Sequence, residues 1–176
     1  MTQVQLKQII GYNDIMELSE RIMNILFGDI EARDAIFREL LSAYSHDLSY
    51  DWFQPLYEEE LAQRKQNKQD FTPSTVGLIC SMLVGEHATV HEPTAGNGSM
   101  IIQDWYNAGK KALPWNYRVD CWELSDRSIP LLLLNLSIRG INGTVHHGDV
   151  LEQNEKARYL LTAKDPLSFS RIIKVL

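Results

Sequence analysis

The stretch Val90-His91-Glu92-Pro93-Thr94-Ala95-Gly96-Asn97-Gly98-Ser99 holds the residue types best suited to chemistry. A strand-like pattern runs into an acidic-Pro turn, then Gly-x-Gly, then a helical pattern. Glycines there let the backbone approach a ligand closely and take angles closed to other residues. The helix that follows offers free N–H groups. Gly-x-Gly by itself also fits a plain strand–turn–helix corner. Two further acids follow. Glu123 ends the strand-like run Tyr117–Leu124, thirty-one residues after Glu92. Asp149 stands in His147-Gly148-Asp149-Val150, after Thr144-Val145-His146. In open α/β sheets ligands sit over the carboxyl ends of the strands. A carboxylate at Glu123 can accept both hydroxyls of a ribose, and one at Asp149 can accept from an exocyclic amine. Singly, each acid reads as a solvated loop residue. Jointly with the glycine loop they read as a nucleoside site.

Other candidates are weaker. His146-His147 suggests a metal, but adjacent histidines on a strand point to opposite faces and no third ligand has suitable spacing, so no metal is expected. NAD normally requires Gly-x-Gly-x-x-Gly, and Ile101 holds the third glycine position. Trp105, Trp115 and Trp122 read as core or interface, and Lys110-Lys111 as a solvated loop. Cys80 and Cys121 lie in largely apolar runs without metal spacing and read as buried reduced thiols. No Ser-His-Asp arrangement is legible.

Helices and strands must position these groups. Ile15, Leu18, Ile22 and Ile25 form one helical stripe, with Leu26 beside it. Phe37, Leu40, Leu41 and Tyr44 form another. Asp29 and Asp51 suit helix N-caps. Gln63 to Asp70 is wholly polar, so residues 1–66 are expected as a helical segment and 67–176 as an α/β unit. In the second part Thr72-Pro73 reads as a helix start and Gly85 as its stop. Strand-like Ala88–His91, helical Ser99–Asn107, strand-like Tyr117–Leu124, helical Ile129–Arg139 and strand-like Thr144–His146 follow in alternation. That grammar predicts a mostly parallel sheet with right-handed crossovers.

Composition bounds the class. The 176 residues are 44% apolar and 23% charged, which excludes a disordered tail, a fibre or a disulfide scaffold. Seventeen basic against twenty-three acidic residues give a net charge of −6. An acidic chain is poorly matched to phosphates, so binding DNA would need a basic partner or a local basic patch. No run has the length of a membrane span, and residues 1–7 show no signal-peptide core, so a cytoplasmic chain is expected.

With those residues in view, 68–151 resembles the S-adenosylmethionine-binding half of N6-adenine DNA methyltransferases, above all the modification subunit of type I restriction–modification systems. Phe71-Thr72-Pro73 resembles that family's Phe-x-Thr-Pro or Tyr-Thr-Pro segment beside the methionine end of the cofactor. Glu92 to Ser99 resembles its Asp-Pro-Ala-Cys-Gly-Ser-Gly-Gly loop. Glu123, with Leu124 after it, matches the ribose-binding acid. Asp149, with Val150 after it, matches the Asp that contacts the cofactor's adenine amine. Asn135-Leu136 before Gly140 resembles an Asn-Leu pair of the family. The resemblance implies a truncated Rossmann-like methyltransferase sheet preceded by a small helical segment, with S-adenosylmethionine as cofactor and DNA as substrate.

The family also carries Asn/Asp-Pro-Pro-Tyr/Phe after its fourth strand, where the target amine is gripped and an aromatic stacks on the flipped base. This chain has no Pro-Pro pair. The nearest candidate is Asp165-Pro166-Leu167-Ser168-Phe169, after strand-like Tyr159–Leu161. It gives Asp165, Pro166 and Phe169 as catalytic candidates, against a simple Asp-Pro turn. The stretch after the linker has length for four or five strands where the family has about seven. A half-sheet leaves an open edge, so a homodimer or hetero-oligomer covering it is expected. Two functions stay open: an adenine N6-methyltransferase that acts with a partner for DNA recognition, and a catalytically inactive cofactor-binding module derived from one.

Overall fold

The computed structural model describes residues 3–55, 72–85, 87–109 and 116–176. Phe71, the polar tract Gln63–Asp70, Lys110-Lys111 and Trp115 lie outside the described residues. Three helices come first: α1 (Gln3–Ile10), α2 (Ile15–Phe27) and α3 (Ile30–Ala43). Asp14 caps α2 by accepting from Met16 N, and Asp29 caps α3 by accepting from Ala32 N. Leu18, Ile22, Ile25 and Leu26 of α2 are buried, as are Phe37 and Leu40 of α3. These are the positions that the helical stripes predict.

Next come α4 (Ser74–Val84), β1 (Thr89–Glu92), α5 (Ser99–Gly109), β2 (Arg118–Glu123), α6 (Ser128–Ile138) and β3 (Asn142–Asp149). Strands β4 (Asn154–Thr162) and β5 (Arg171–Lys174) follow. Helix α4 begins one residue later than Thr72-Pro73 predicts. Pro73 is itself the cap, its carbonyl accepting from Val76 N at 2.9 Å. Gly85 ends α4 with φ +77°, a region that favours glycine.

The chain is α/β, with a five-stranded sheet in the order β1-β2-β3-β4-β5. Pairs β1–β2 and β2–β3 are parallel, while β3–β4 and β4–β5 are antiparallel. The sheet is thus mixed, where alternation predicted a mostly parallel one. The reason is local: only the short turn after Asp149 separates β3 from β4, and a parallel return needs a crossover of a dozen or more residues.

Right-handed crossovers place α5 and α6 on the same face of the sheet. Val119, Cys121, Val145, Ala157, Tyr159 and Leu161 point into that side and are buried. Helix α6 is buried at every position and packs on α2, so one core runs from the first helices into the sheet. The other sheet face is polar and crosses the strands as a ladder. His91 Nδ1 meets Asp120 Oδ2 at 2.9 Å, and His146 lies between Asp120 Oδ1 at 2.8 Å and Glu155 Oε1 at 2.7 Å. Trp122 stacks on His146 with ring centroids 4.5 Å apart. The exposed–buried alternation of β4 fits one wet and one dry face.

Candidate functional site

Parallel β1, β2 and β3 end on the same side of the sheet, so Glu92, Glu123 and Asp149 come to one rim. The glycine loop sits between them. Ala95 N donates to Trp122 O at 2.8 Å, which ties the loop to β2. Gly96 N donates to Glu123 Oε2 at 2.7 Å, and Ser125 N donates to Glu123 Oε1 at 2.7 Å. These two bonds orient a carboxylate only 9% exposed. Each of its oxygens retains a further lone pair for another donor.

Two glycines are required here by different constraints. Gly96 has φ +56° with nothing within 4 Å of a built Cβ, so its outer side is open space. Gly98 has φ +91°, and a Cβ there would stand 2.9 Å from Leu132 Cδ1 of α6. Gly98 lets the loop lie down on the helix, and Gly96 keeps one side of it open.

Between them Asn97 is 2% exposed, and neither its Nδ2 nor its Oδ1 has a hydrogen-bond partner among the described residues. A buried amide with unmet capacity is costly, and a polar ligand or water that reached it would relieve that cost. The loop backbone is held elsewhere. Asn97 O accepts from Asn135 Nδ2 at 2.9 Å, and Gly98 N donates to Ala95 O at 2.8 Å.

The remaining candidates are less committed. Glu92 Oε1 accepts from Thr94 N at 3.2 Å, and Pro93 and Thr94 are exposed. Asp149 Oδ1 accepts from Leu151 N at 2.9 Å and Glu152 N at 3.2 Å, so this acid shapes the β3–β4 turn. Val150 O accepts from Gln153 Nε2 in the same turn. Leu124 is half-exposed beside Glu123. Thr72 and Pro73 are exposed ahead of α4. His146 and His147 part company: His147 Nε2 lies 2.9 Å from Asp126 Oδ1, away from the partners of His146. Burial and the nearby Lys156 hold His147 below the usual imidazole range.

Asp165, Pro166 and Phe169 stand apart from this rim. Because β4 runs antiparallel, its end lies opposite the start of β3, with Leu161 paired to Gly143 and Asn154 paired to Asp149. The six steps from Gly143 to Asp149, at about 3.3 Å each, put the two ends roughly 20 Å apart, with Asp165 beyond the far one. Asp165 is exposed, and its Oδ1 accepts from Leu167 N at 2.9 Å in a turn closed by Ser168. Phe169 packs edge-on against Phe37, centroids 5.1 Å apart.

Sequence reasoning missed a buried polar group beneath the loop. Asp51, expected as a helix cap, is 3% exposed and meets Asn135 and Ser99, while Arg139 is buried beside them. The available signal was spacing: Asn135 and Arg139 stand at i and i+4 at the end of an apolar helix, which puts both on one face.

No curated protein matches the chain. Among solved structures, the type I restriction-modification system methyltransferase subunit from Streptococcus thermophilus is similar at 16% identity and a TM-score of 0.43. The match covers 86% of this chain and 39% of that subunit, so the chain spans well under half of its length. The model of the family described as N-6 DNA Methylase matches residues 48–167, a span holding the glycine loop, Glu123 and Asp149. The chain therefore belongs to the N-6 DNA methylase family.

Proposed function

We propose that the chain is the S-adenosylmethionine-binding part of a DNA adenine N6-methyltransferase-like protein. The observation that carries this is the 2.7 Å bond from Gly96 N to Glu123 Oε2. It sets a carboxylate with spare acceptor capacity against a glycine loop with one open side. Glu123 would accept the ribose hydroxyls. Gly96 to Ser99 would lie along the methionine and ribose, and the unpartnered Asn97 amide would take a polar group. Asp149, with one oxygen engaged in its turn, would offer the other to the adenine amine. Leu124 and Val150 would flank the base, and Thr72-Pro73 would approach the methionine end. The cofactor supplies the activated methyl group. The residues present fit it.

Methyl transfer also needs an acceptor for the target amine near that methyl group. Asp165-Pro166 stands at the far end of the sheet, which favours a second reading: alone, the chain is a catalytically inactive cofactor-binding module. DNA would then be engaged through a basic partner subunit, since this chain carries a net charge of −6. Incubation of labelled cofactor and DNA with the purified chain, alone and with co-purifying partners, separates the two readings. Transfer only in the partnered sample supports the shared-site form. Transfer by the chain alone contradicts the inactive-module reading.

The open sheet edge belongs to the same reading. Strand β1 pairs on one side only among the described residues, and α4 beside it has no charged residue. Val76, Ile79, Met82, Leu83 and Val84 of α4 are exposed, Leu83 by 81%. A groove of about 240 Å³ runs between α4, β1 and α5. Apolar helices of this kind are normally covered. A second copy is the occupant we propose, because an uncharged apolar helix is complementary to itself. A hetero-partner is the other outcome of the test given below.

A further inference from the structure

We propose that Asp51 and Asn135 are positioning residues for the glycine loop. They pass the placement of the N-terminal helical segment to the backbone at Asn97 and Ser99. The proposal deepens the cofactor reading above, and its consequence for affinity rests on that reading.

The connection is continuous, and the side chains of Asp51, Asn135 and Arg139 at its centre are buried. Arg139 Nε donates to Leu48 O at 3.0 Å, and one of its terminal nitrogens donates to Tyr50 O at 2.6 Å. The other donates to Asn135 O at 2.9 Å and Asn135 Oδ1 at 3.0 Å. Its guanidinium lies 5.1 Å from the centroid of Trp52. Arginine can only donate, so the Asn135 amide must turn its oxygen to Arg139 and its nitrogen away. That nitrogen donates to Asp51 Oδ1 at 2.8 Å and to Asn97 O at 2.9 Å. Asn135 has thus placed both amide hydrogens, and it is fully buried.

Asp51 forms a second hold. Its Oδ1 also accepts from Phe53 N at 2.9 Å, and its Oδ2 accepts from Ser99 Oγ at 3.3 Å, where α5 begins. The loop is therefore gripped at both sides of Gly98. Burial pushes the Asp51 carboxyl above its usual range, against the bonds from Asn135 and Phe53 and the charge of Arg139. Burial also draws Arg139 down to about 10. Such a network is costly when one member is removed, because the others stay buried without partners. None of these grips uses the Asn97 side chain, which leaves that amide for another partner.

The test compares Asp51→Ala, Asp51→Asn and Ser99→Ala with the wild type. It reads amide hydrogen exchange over residues 95–100 of the free chain and calorimetric affinity for S-adenosylhomocysteine. Asp51→Asn keeps an oxygen toward Asn135 and Phe53 and turns its amide to Ser99, so both readings should stay within about twofold of wild type. Asp51→Ala should raise loop exchange and weaken affinity by about tenfold or more. Ser99→Ala removes one hold and should raise loop exchange about threefold with a smaller fall in melting temperature than Asp51→Ala, so it decides the matter where Asp51→Ala does not fold. The proposal is overturned if loop exchange is unchanged in Ser99→Ala, or if Asp51→Asn loosens the loop as much as Asp51→Ala. If the wild type binds no S-adenosylhomocysteine while loop exchange follows this pattern, the cofactor reading fails and the positioning role stands.

Discussion

The parallel half of the sheet and its antiparallel half use the same strand-then-loop grammar to opposite effect. After β1, β2 and β3 the chain emerges at one rim, to which Glu92, Glu123 and Asp149 belong. After β4 it emerges at the other end, and Asp165 is carried away from them. The order of a motif along a chain therefore does not give its place in space. The direction of the preceding strand does. In the first half, helices α5 and α6 return the chain to the bottom of the sheet before each new strand. Between Asp149 and Asn154 there is only a turn.

Four experiments bear on this contrast, in order of decreasing effect. Gly98→Val adds a side chain at φ +91° against Leu132, and should cost about 3 kcal/mol or more in denaturant unfolding. An equivalent substitution in the other half, Leu167→Val at a 95% exposed turn position, should cost less than about 0.5 kcal/mol. Equal costs would remove the idea that the loop is packed down on α6.

The second concerns the β1 edge, which belongs to the parallel half. Light scattering should give twice the 20.2 kDa chain mass, and Leu83→Glu on α4 should return it to one. A wild-type monomer would contradict the second copy, and a mass that rises only with a co-purifying protein would assign the edge to a hetero-partner.

The third uses acid. Asp51 lies under the loop, and burial holds its carboxyl above 3.8 in the folded chain. Its contribution is present below the unfolded value and is lost as pH rises through the folded one. Asp120 on the polar face is held below 3.8, burial being outweighed by its bonds to His146 and His91. Its contribution is present above the unfolded value and is lost as pH falls. Relative to wild type, Asp51→Asn should therefore gain stability as pH rises above 3.8, and Asp120→Asn should be less stable above 3.8, a deficit that closes as pH falls below it. The second effect is the smaller, of a few tenths of a kcal/mol, because Asp120 is half-exposed. Melting curves against pH check both signs, and the same sign for both variants would contradict the assignment.

The last is thiol reactivity. Cys121 is buried in β2, and burial pushes its thiol far up, while Cys80 on α4 is partly exposed. A disulfide reagent should label Cys80 in the native chain and reach Cys121 only on unfolding. Prompt labelling of Cys121 would show that the strand core opens more readily than its packing implies.

Much of the parallel half was legible because its signals are local. Gly85 and Gly140 stop helices, and apolar runs alternate at strand and helix lengths from Val76 to His146. That the glycine loop and Glu123 come together could be expected because parallel strands fix where their ends go. The antiparallel turn was not legible, since Tyr159–Leu161 has the same composition whichever way the strand runs. Only the four residues between Asp149 and Asn154 betray it. The network of Asp51, Asn135 and Arg139 was hidden for a different reason. It joins residues 84 and more positions apart, and a buried aspartate looks like a helix cap until its partners are seen.

The claim at the centre is that the ends of β1, β2 and β3 hold S-adenosylmethionine. Isothermal titration with S-adenosylhomocysteine tests it on three proteins. The wild type should bind. Glu123→Ala should bind about ten- to a hundredfold more weakly, the scale of losing charge-assisted hydrogen bonds. Asp165→Ala, changed at the opposite end of the sheet, should match the wild type. No binding by the wild type, or unchanged affinity in Glu123→Ala, would contradict the account.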